Sequence, residues 1–447
     1  MKRVATAVVL ATLVATATGF ALTSRGSAAT SGPTKANKSS VTNLTIWVGW
    51  SARELSVFKK VVAEWDRKQP NITVKVVGSV DDDKIVAAIR AGNAPDVVSS
   101  FNSYNVGTFC TSGAWIDLGP LMKADNLSAD AFPRAPRYYT QYAGKRCALP
   151  VLADTYGLYY NQALFKKAGL TRPPKTMSEL TAYAKKLTVR GKGGSVKVAG
   201  YVPTFGFYEN VLERYGPLFG AKWTGAKGKS TLGTNPGWAK MLRWQKSLVD
   251  WYGHDKLVRF QAGLGDEFSA YNAFETGQLA MNLDGEWRVA FIAAEKPNLN
   301  YGTAPMPVDD AHPELYGSGY INGTIIGIPK GVKHKTEAWA LTKYLAFDTH
   351  ALAILSNGIR NVPTTKASLT SPEIKKDARF ATFLNIFANP QSETSPITAA
   401  GVAYTELAAT FANKWQAGKV KDLPGGLKKL DKQIDAQLAQ AKGPGVP

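Results

Sequence analysis

The chain predicts an α/β fold of two lobes with mostly parallel sheets. Residues 44–50 (LTIWVGW) and 71–77 (NITVKVV) are β-rich runs, and between them residues 54–68 set Leu55, Phe58, Val61, Val62 and Trp65 at helical spacing. Strand, helix and strand at that length form a βαβ unit, whose strands lie parallel. The 447 residues are long for one domain and ordinary for two, and 45% hydrophobic residues suffice for a large core.

The N-terminus, MKRVATAVVLATLVATATGFAL, sets Lys2 and Arg3 ahead of an uncharged apolar run, the pattern of an export signal. Small residues mark cleavage points after Ala17 and after Ala29. The run also nears the lower limit of a membrane span, so residues 1–29 are expected to be an export signal or an uncleaved anchor. No Cys precedes Cys110, so a lipid-modified Cys is not expected at the leader. Residues 30–41 are rich in Ser, Thr, Lys and Gly and form a flexible spacer. The expected location is extracytoplasmic, at the cell surface or in the cell-wall zone.

Net charge is +20, from 54 Lys and Arg against 34 Asp and Glu. Such a field attracts polyanions. The basic residues are scattered as pairs, such as Lys59-Lys60 and Lys428-Lys429, with no nucleic-acid module beside them. A solvated cationic surface is the expectation, with attraction to an anionic envelope as the alternative; nucleic acid is not expected. Cys110 and Cys147 form an even pair in an exported chain and are expected to join, with two buried free thiols as the alternative.

A helix over residues 84–91 stops at Gly92, and Ala94-Pro95-Asp96-Val97-Val98 opens a third strand. Residues 142–180 hold the most specific stretch. Gly144-Lys145 leads to Leu149-Pro150, then LYYNQALFKKAGL over 158–170, then PPKTMSEL over 173–180. Further on stand GAWIDL (113–118), FETGQLAM with NLDGEW (274–287), YGTAPMPV (301–308), YGSGYINGTIIGIP (316–329) and NGIRNVP (357–363). In order and spacing these segments resemble the bacterial extracellular solute-binding proteins, the sugar-type receptors of ABC importers. The resemblance runs from about residue 44 to about residue 440. It implies a type II periplasmic-binding-protein-like fold, joined by crossover hinges. The expected lobes are 42–152 plus 302–349 and 153–301 plus 350–440, with 441–447 as a tail. It also implies a carbohydrate ligand held by hinge closure, permease subunits of an importer as partners at the outer face of the membrane, and action as a monomer. No cofactor is implied.

Ligands of two-lobed α/β folds sit at the carboxyl ends of sheet strands beside the cleft. Sugars suit aromatic faces joined to a few carboxylates, amides and guanidinium groups. Expected ligand residues are therefore Trp50 and Ser51 after the first strand, Asn102 beside Phe101 after the third, and Asp154 with Tyr156 at the crossover. Trp287 follows Gly285-Glu286, and Tyr320 with Asn322 and Arg360 with Asn361 occupy two late glycine-rich turns. Among Asp81, Asp82 and Asp83, which suit a helix N-terminus, Asp82 is the one expected to face the cleft. Trp223 and Tyr208-Glu209 are weaker candidates. Arg360 supports a rival reading in which the ligand is anionic, a uronate or a phosphorylated sugar or glycerol.

Enzyme chemistry finds little support. The four His form no His-x-x-x-His pair and the Cys lie far apart, so no metal site is expected. No Gly-x-Ser-x-Gly elbow occurs, and Trp223 replaces the first Gly that a phosphate loop ending in Gly228-Lys229-Ser230 requires. Asp284 and Glu286 are the one carboxylate pair to set against a secreted carbohydrate-active enzyme, and no other catalytic group accompanies them.

Overall fold

Strand β1 (Thr42–Trp47), helix α1 (Ala52–Asp66) and strand β2 (Ile72–Val77) form the expected βαβ unit, with Thr42 opposite Ile72 and Trp47 opposite Val77 in parallel register. This is a computed structural model, and it describes residues 41–225 and 228–442. The expected export signal or anchor at 1–29, spacer residues 30–40 and tail residues 443–447 lie outside the described residues. α1 buries Phe58, Val61, Val62 and Trp65, the stripe that the 3.6-residue period marked out. Helix α2 (Asp82–Arg90) is capped by Asp81, whose side chain accepts from the Lys84 backbone N–H, and Asp82 and Asp83 complement the helix dipole in its first turn. Strand β3 (Val97–Ser100) then pairs parallel with β1.

Strand β4 (Leu149–Asn161) crosses the molecule. Twelve of its thirteen residues are buried, in keeping with its unbroken apolar and aromatic sequence. β5 (Val189–Arg190) and β6 (Val196–Val198) form a small separate hairpin. Along residues 156–161, β4 pairs antiparallel with β7 (Met281–Gly285) and β8 (Tyr301–Ala304). Along residues 149–155 it pairs antiparallel with β9 (Ile321–Gly327), and Leu152 and Ala153 face β10 (Val362–Pro363). The first-lobe order is β10-β4-β9-β3-β1-β2. Among the named strands, parallel pairing is confined to β1, β2 and β3. Elsewhere the named strands pair antiparallel where a mostly parallel sheet is expected, because β4 runs on into the second core and β9 returns from it.

Two cores flank the crossing. One gathers Ile46, Phe58, Trp65, Leu152, Leu341 and Leu355, backed across the sheet by Val98, Val106, Ala153 and Ile325. The other gathers Leu158, Tyr159, Trp238, Leu248, Leu283 and Ile292. Membership of these cores differs from the lobe limits drawn from sequence. Met306 and Val308 pack in the second core, and Ala351, Leu352, Leu355 and Ile359 pack in the first. The helix Thr349–Ile359 lies against α1, so it stays with the lobe of the helix before it, Lys335–Phe347. The chain passes between cores at Thr155–Tyr156 and Tyr320–Ile321. It passes again within the helix Ala378–Ala388, whose Phe383 joins the second core and whose Phe387 joins the first lobe.

Cys110, on the helix Val106–Ser112, is disulfide-bonded to Cys147, just before β4, with Cα atoms 5.5 Å apart. The bond ties that helix to the entry of the crossing strand. Reducing it is expected to lower stability by about 2–4 kcal/mol, chiefly by freeing the unfolded chain. Urea melts with and without reductant measure this, and a Cys110→Ala, Cys147→Ala protein that melts like the oxidised one would refute it.

Candidate functional site

Beyond β1 the chain runs through Val48 and Gly49 to Trp50, whose ring is 4% exposed. Trp50 packs on Phe58 of α1 at 4.9 Å and meets Phe101, after β3, edge-on at 5.6 Å. Gly49 is required by that approach, since a Cβ there would lie 2.4 Å from the Phe101 ring. The second lobe repeats the device. A Cβ on Gly285, at the end of β7, would lie 2.3 Å from the Trp287 ring, which meets Tyr156 of β4 edge-on at 5.6 Å.

Between these aromatic pairs lies a cavity of about 200 Å³. Trp50, Glu54, Phe101, Asn322 and Thr324 line it from the first lobe, and Tyr156, Glu209, Arg214, Phe268 and Trp287 from the second. Asp154 and Asn361 close it at the crossing. Cavities of about 550 and 450 Å³ flank the helix Arg134–Tyr139. Size alone would favour them. The smaller cavity is the better candidate because it lies at the carboxyl ends of β1 and β3 and gathers rings and charges from both lobes. Two non-glycine residues at left-handed φ border it, Ala52 (42°) ahead of Glu54 and Tyr208 (46°) ahead of Glu209. Strain of this kind persists where the surrounding structure imposes it, often at functional sites.

The charges are interlocked. The Asn361 amide donates to Asp154 Oδ1 at 2.6 Å and to Glu286 Oε1 at 2.9 Å, joining β10, β4 and the end of β7. Glu286 also accepts from the Thr155 N–H at 2.7 Å. Burial, the largest influence, pushes Asp154 up to about 7 and holds Glu286 well above the carboxylate range. Burial likewise raises Glu54 to about 6, against the pull of Arg53. Across the cavity Arg214 forms an ion pair with Glu209, donates to Tyr156 Oη at 3.1 Å and lies 3.9 Å over the Tyr156 ring. Burial, the largest influence, disfavours the Arg214 cation, and Glu209, Tyr156, Tyr104 and Glu267 together more than offset it. Asp284 serves the interior instead, accepting from Arg288 Nε at 2.8 Å. Asp284 and Glu286 are thus both held by protein donors and do not face each other as a catalytic pair.

The family model for bacterial extracellular solute-binding proteins matches residues 60–382, well over half of the chain. The chain belongs to that family. A putative binding protein of Brucella abortus is 29% identical over 204 residues, 45% of this chain and 47% of its own length, so the chain spans about half of this curated relative. A maltooligosaccharide ABC transporter solute-binding lipoprotein of Streptococcus pneumoniae is 25% identical over 393 residues, 84% of this chain and 85% of that protein. Among solved structures, CpMnBP1 with mannotriose bound superposes with a TM-score of 0.79 at 25% identity, covering 88% of this chain and 100% of that one. This solute-binding protein therefore has the two-lobed architecture of the family. Among the described residues no helix is long and apolar enough to cross a membrane.

Of the ligand residues expected from sequence, Trp50, Asp154, Tyr156, Trp287 and Asn322 come together around the cavity. The other five do not line it. Ser51 is exposed at the start of α1. Asp82 accepts from the side-chain amides of Asn102, at 3.0 Å, and Asn105, at 2.8 Å, which occupies Asn102 as well. Tyr320 is buried with its hydroxyl on Tyr104 at 2.6 Å and Ser395 at 2.9 Å. Arg360 caps its helix at φ 73°, and its guanidinium binds Asp377 at 2.9 Å and the Lys375 carbonyl at 2.5 Å. That turn gives the cavity Asn361 in its place. Glu54, Arg214, Phe268 and Thr324 carry no sequence signal of their own, and Glu54 reads as an ordinary first-turn acid.

The raised carboxyl groups set a pH dependence. Asp154 titrates near 3.8 when unfolded and near 7 when folded, so between those values the native state keeps a proton that the unfolded chain has released. Stability must therefore fall as pH rises through that window, with Glu54 and Glu286 acting in the same direction. Asp154→Asn keeps an acceptor for Asn361 and is expected to flatten the slope in melts from pH 4.5 to 7.5. An unchanged slope would show that burial does not govern this group.

Proposed function

We propose that this protein captures a carbohydrate, a mono- or oligosaccharide, between its lobes and presents it to the permease of an ABC importer at the outer face of the membrane, acting as a monomer. One observation carries the reading: a cavity at the β-strand ends is walled by Trp50 and Phe101 on one lobe and Tyr156 and Trp287 on the other, with Asp154 and Asn361 at the hinge. Aromatic faces suit the C–H surfaces of sugar rings, and carboxylates and amides suit hydroxyls. The maltooligosaccharide for which the streptococcal relative is named and the mannotriose in CpMnBP1 support the same class.

A ligand touching both walls favours the state in which they approach, so capture shifts an open–closed equilibrium. Motion is absorbed where β4, β9 and the helix Ala378–Ala388 pass between cores. Capture and release need no covalent chemistry. The anionic alternative loses ground: Arg360 is engaged elsewhere, and the cavity's one guanidinium, Arg214, is already paired with Glu209.

The test is a thermal-shift screen against neutral, amino and N-acetylated saccharides, uronates and sugar phosphates. A cognate saccharide at a thousandfold excess over its Kd is expected to add about 4 kcal/mol. Trp287→Ala should fold cooperatively and lose the shift. Silence from every saccharide, or a response confined to phosphates and uronates, would overturn the reading.

A further inference from the structure

We propose that the cleft prefers a cationic saccharide, one whose ring carries a free protonated amine; this rests on the carbohydrate reading above. The cavity wall holds three carboxylates, Glu54, Asp154 and Glu209, and one guanidinium. Arg214 is occupied there by Glu209 and by both the hydroxyl and the face of Tyr156, with its Nε left unpartnered. Glu54 and Asp154 remain in excess. Asp154 is answered by the neutral Asn361 amide, which it shares with a second buried carboxyl, Glu286, itself held also by the neutral Thr155 N–H, so no cation answers either acid there. Arg53 comes within 3.9 Å of Glu54 but does not line the cavity. It donates to the Gly358 carbonyl at 2.7 Å and lies 4.7 Å over the Phe291 ring.

A neutral sugar would leave this excess uncompensated while stripping its water, which is costly for buried carboxylates. A protonated amine supplies a charge and several donors in one group. The rings add a second, independent attraction. Trp50, Phe101, Phe268 and Trp287 turn an aromatic enclosure toward the same space, and such enclosures bind ammonium groups over their faces. Glu54 and Asp154, which burial lifts to about 6 and about 7, are poised to ionise when a cation arrives. The contrast with the +20 chain is direct, for a basic protein has concentrated acid at this spot.

Calorimetric titration of the full chain at neutral pH decides the matter, using a glucosamine disaccharide, its di-N-acetylated counterpart, mannobiose and maltose. The free amine is expected to bind about tenfold or more tightly than the acetylated form, a difference of about 1.4 kcal/mol. Added salt should shrink that ratio, as should Glu54→Gln and Asp154→Asn. The salt series needs no variant and stands even if Asp154→Asn misfolds. Equal or tighter binding of acetylated or neutral sugars would overturn the cationic preference and leave carbohydrate capture intact. Absence of binding by every saccharide would overturn both.

Discussion

One strand serves both lobes, and the rest of the molecule is arranged around that fact. β4 bonds to β9 and β10 along its first half and to β7 and β8 along its second. A thirteen-residue strand spans roughly 40 Å, which is enough to enter two cores without a linker. The change of partners falls at Asp154, Thr155 and Tyr156. Backbone pairing is handed over there; Asp154 and Tyr156 line the cavity, while the buried Thr155 hydroxyl lies on Glu286 and the Phe383 carbonyl.

The handover must also be held together. Asn361 bonds the acids of both lobes, Glu286 secures the Thr155 backbone, and Phe383 packs from the third crossing. A neutral amide between two carboxyls is an economical clasp, for it tolerates either acid in protonated form. A Lys or Arg in its place would bind more strongly and would cancel the cavity's charge. The acids keep a raised affinity for protons because burial outweighs the hydrogen bonds that they accept.

This organisation was legible in the sequence to an uneven degree. The βαβ start, the Tyr-rich crossing and the helix stops carry local signals of period and capping, and they appear where those signals place them. Trp50 and Trp287 were legible as large aromatics just past a strand and near a Gly, and Tyr156 by its place in the crossing strand. Arg360 misled for a local reason: one left-handed residue rotates the chain, and the neighbouring Asn361 takes the inward direction. Asp82 and Asn102 satisfy each other, a pairing across twenty residues that no local pattern reveals. Glu54, Arg214 and Phe268 come from elements whose own sequence explains them as helix or loop, and only the approach of the lobes gives them a shared space. The lobe limits failed similarly, because helix 349–359 is sorted by its contact with α1 rather than by its distance along the chain.

Surface charge and cavity charge answer different questions. Exposed charges are screened over about 10 Å at ordinary ionic strength, so the scattered Lys and Arg set how the protein meets an anionic envelope or repels its copies. They contribute little inside a cavity where Trp50 is almost fully covered and Asp154 and Glu286 are buried. There the nearest groups decide, in a low dielectric that magnifies each of them. A chain with an excess of twenty positive charges therefore need not bind anions in its cleft. The sign that a ligand meets is set by Glu54, Asp154, Glu209 and Arg214, and their sum is negative whenever the two acids not committed to Arg214 are ionised.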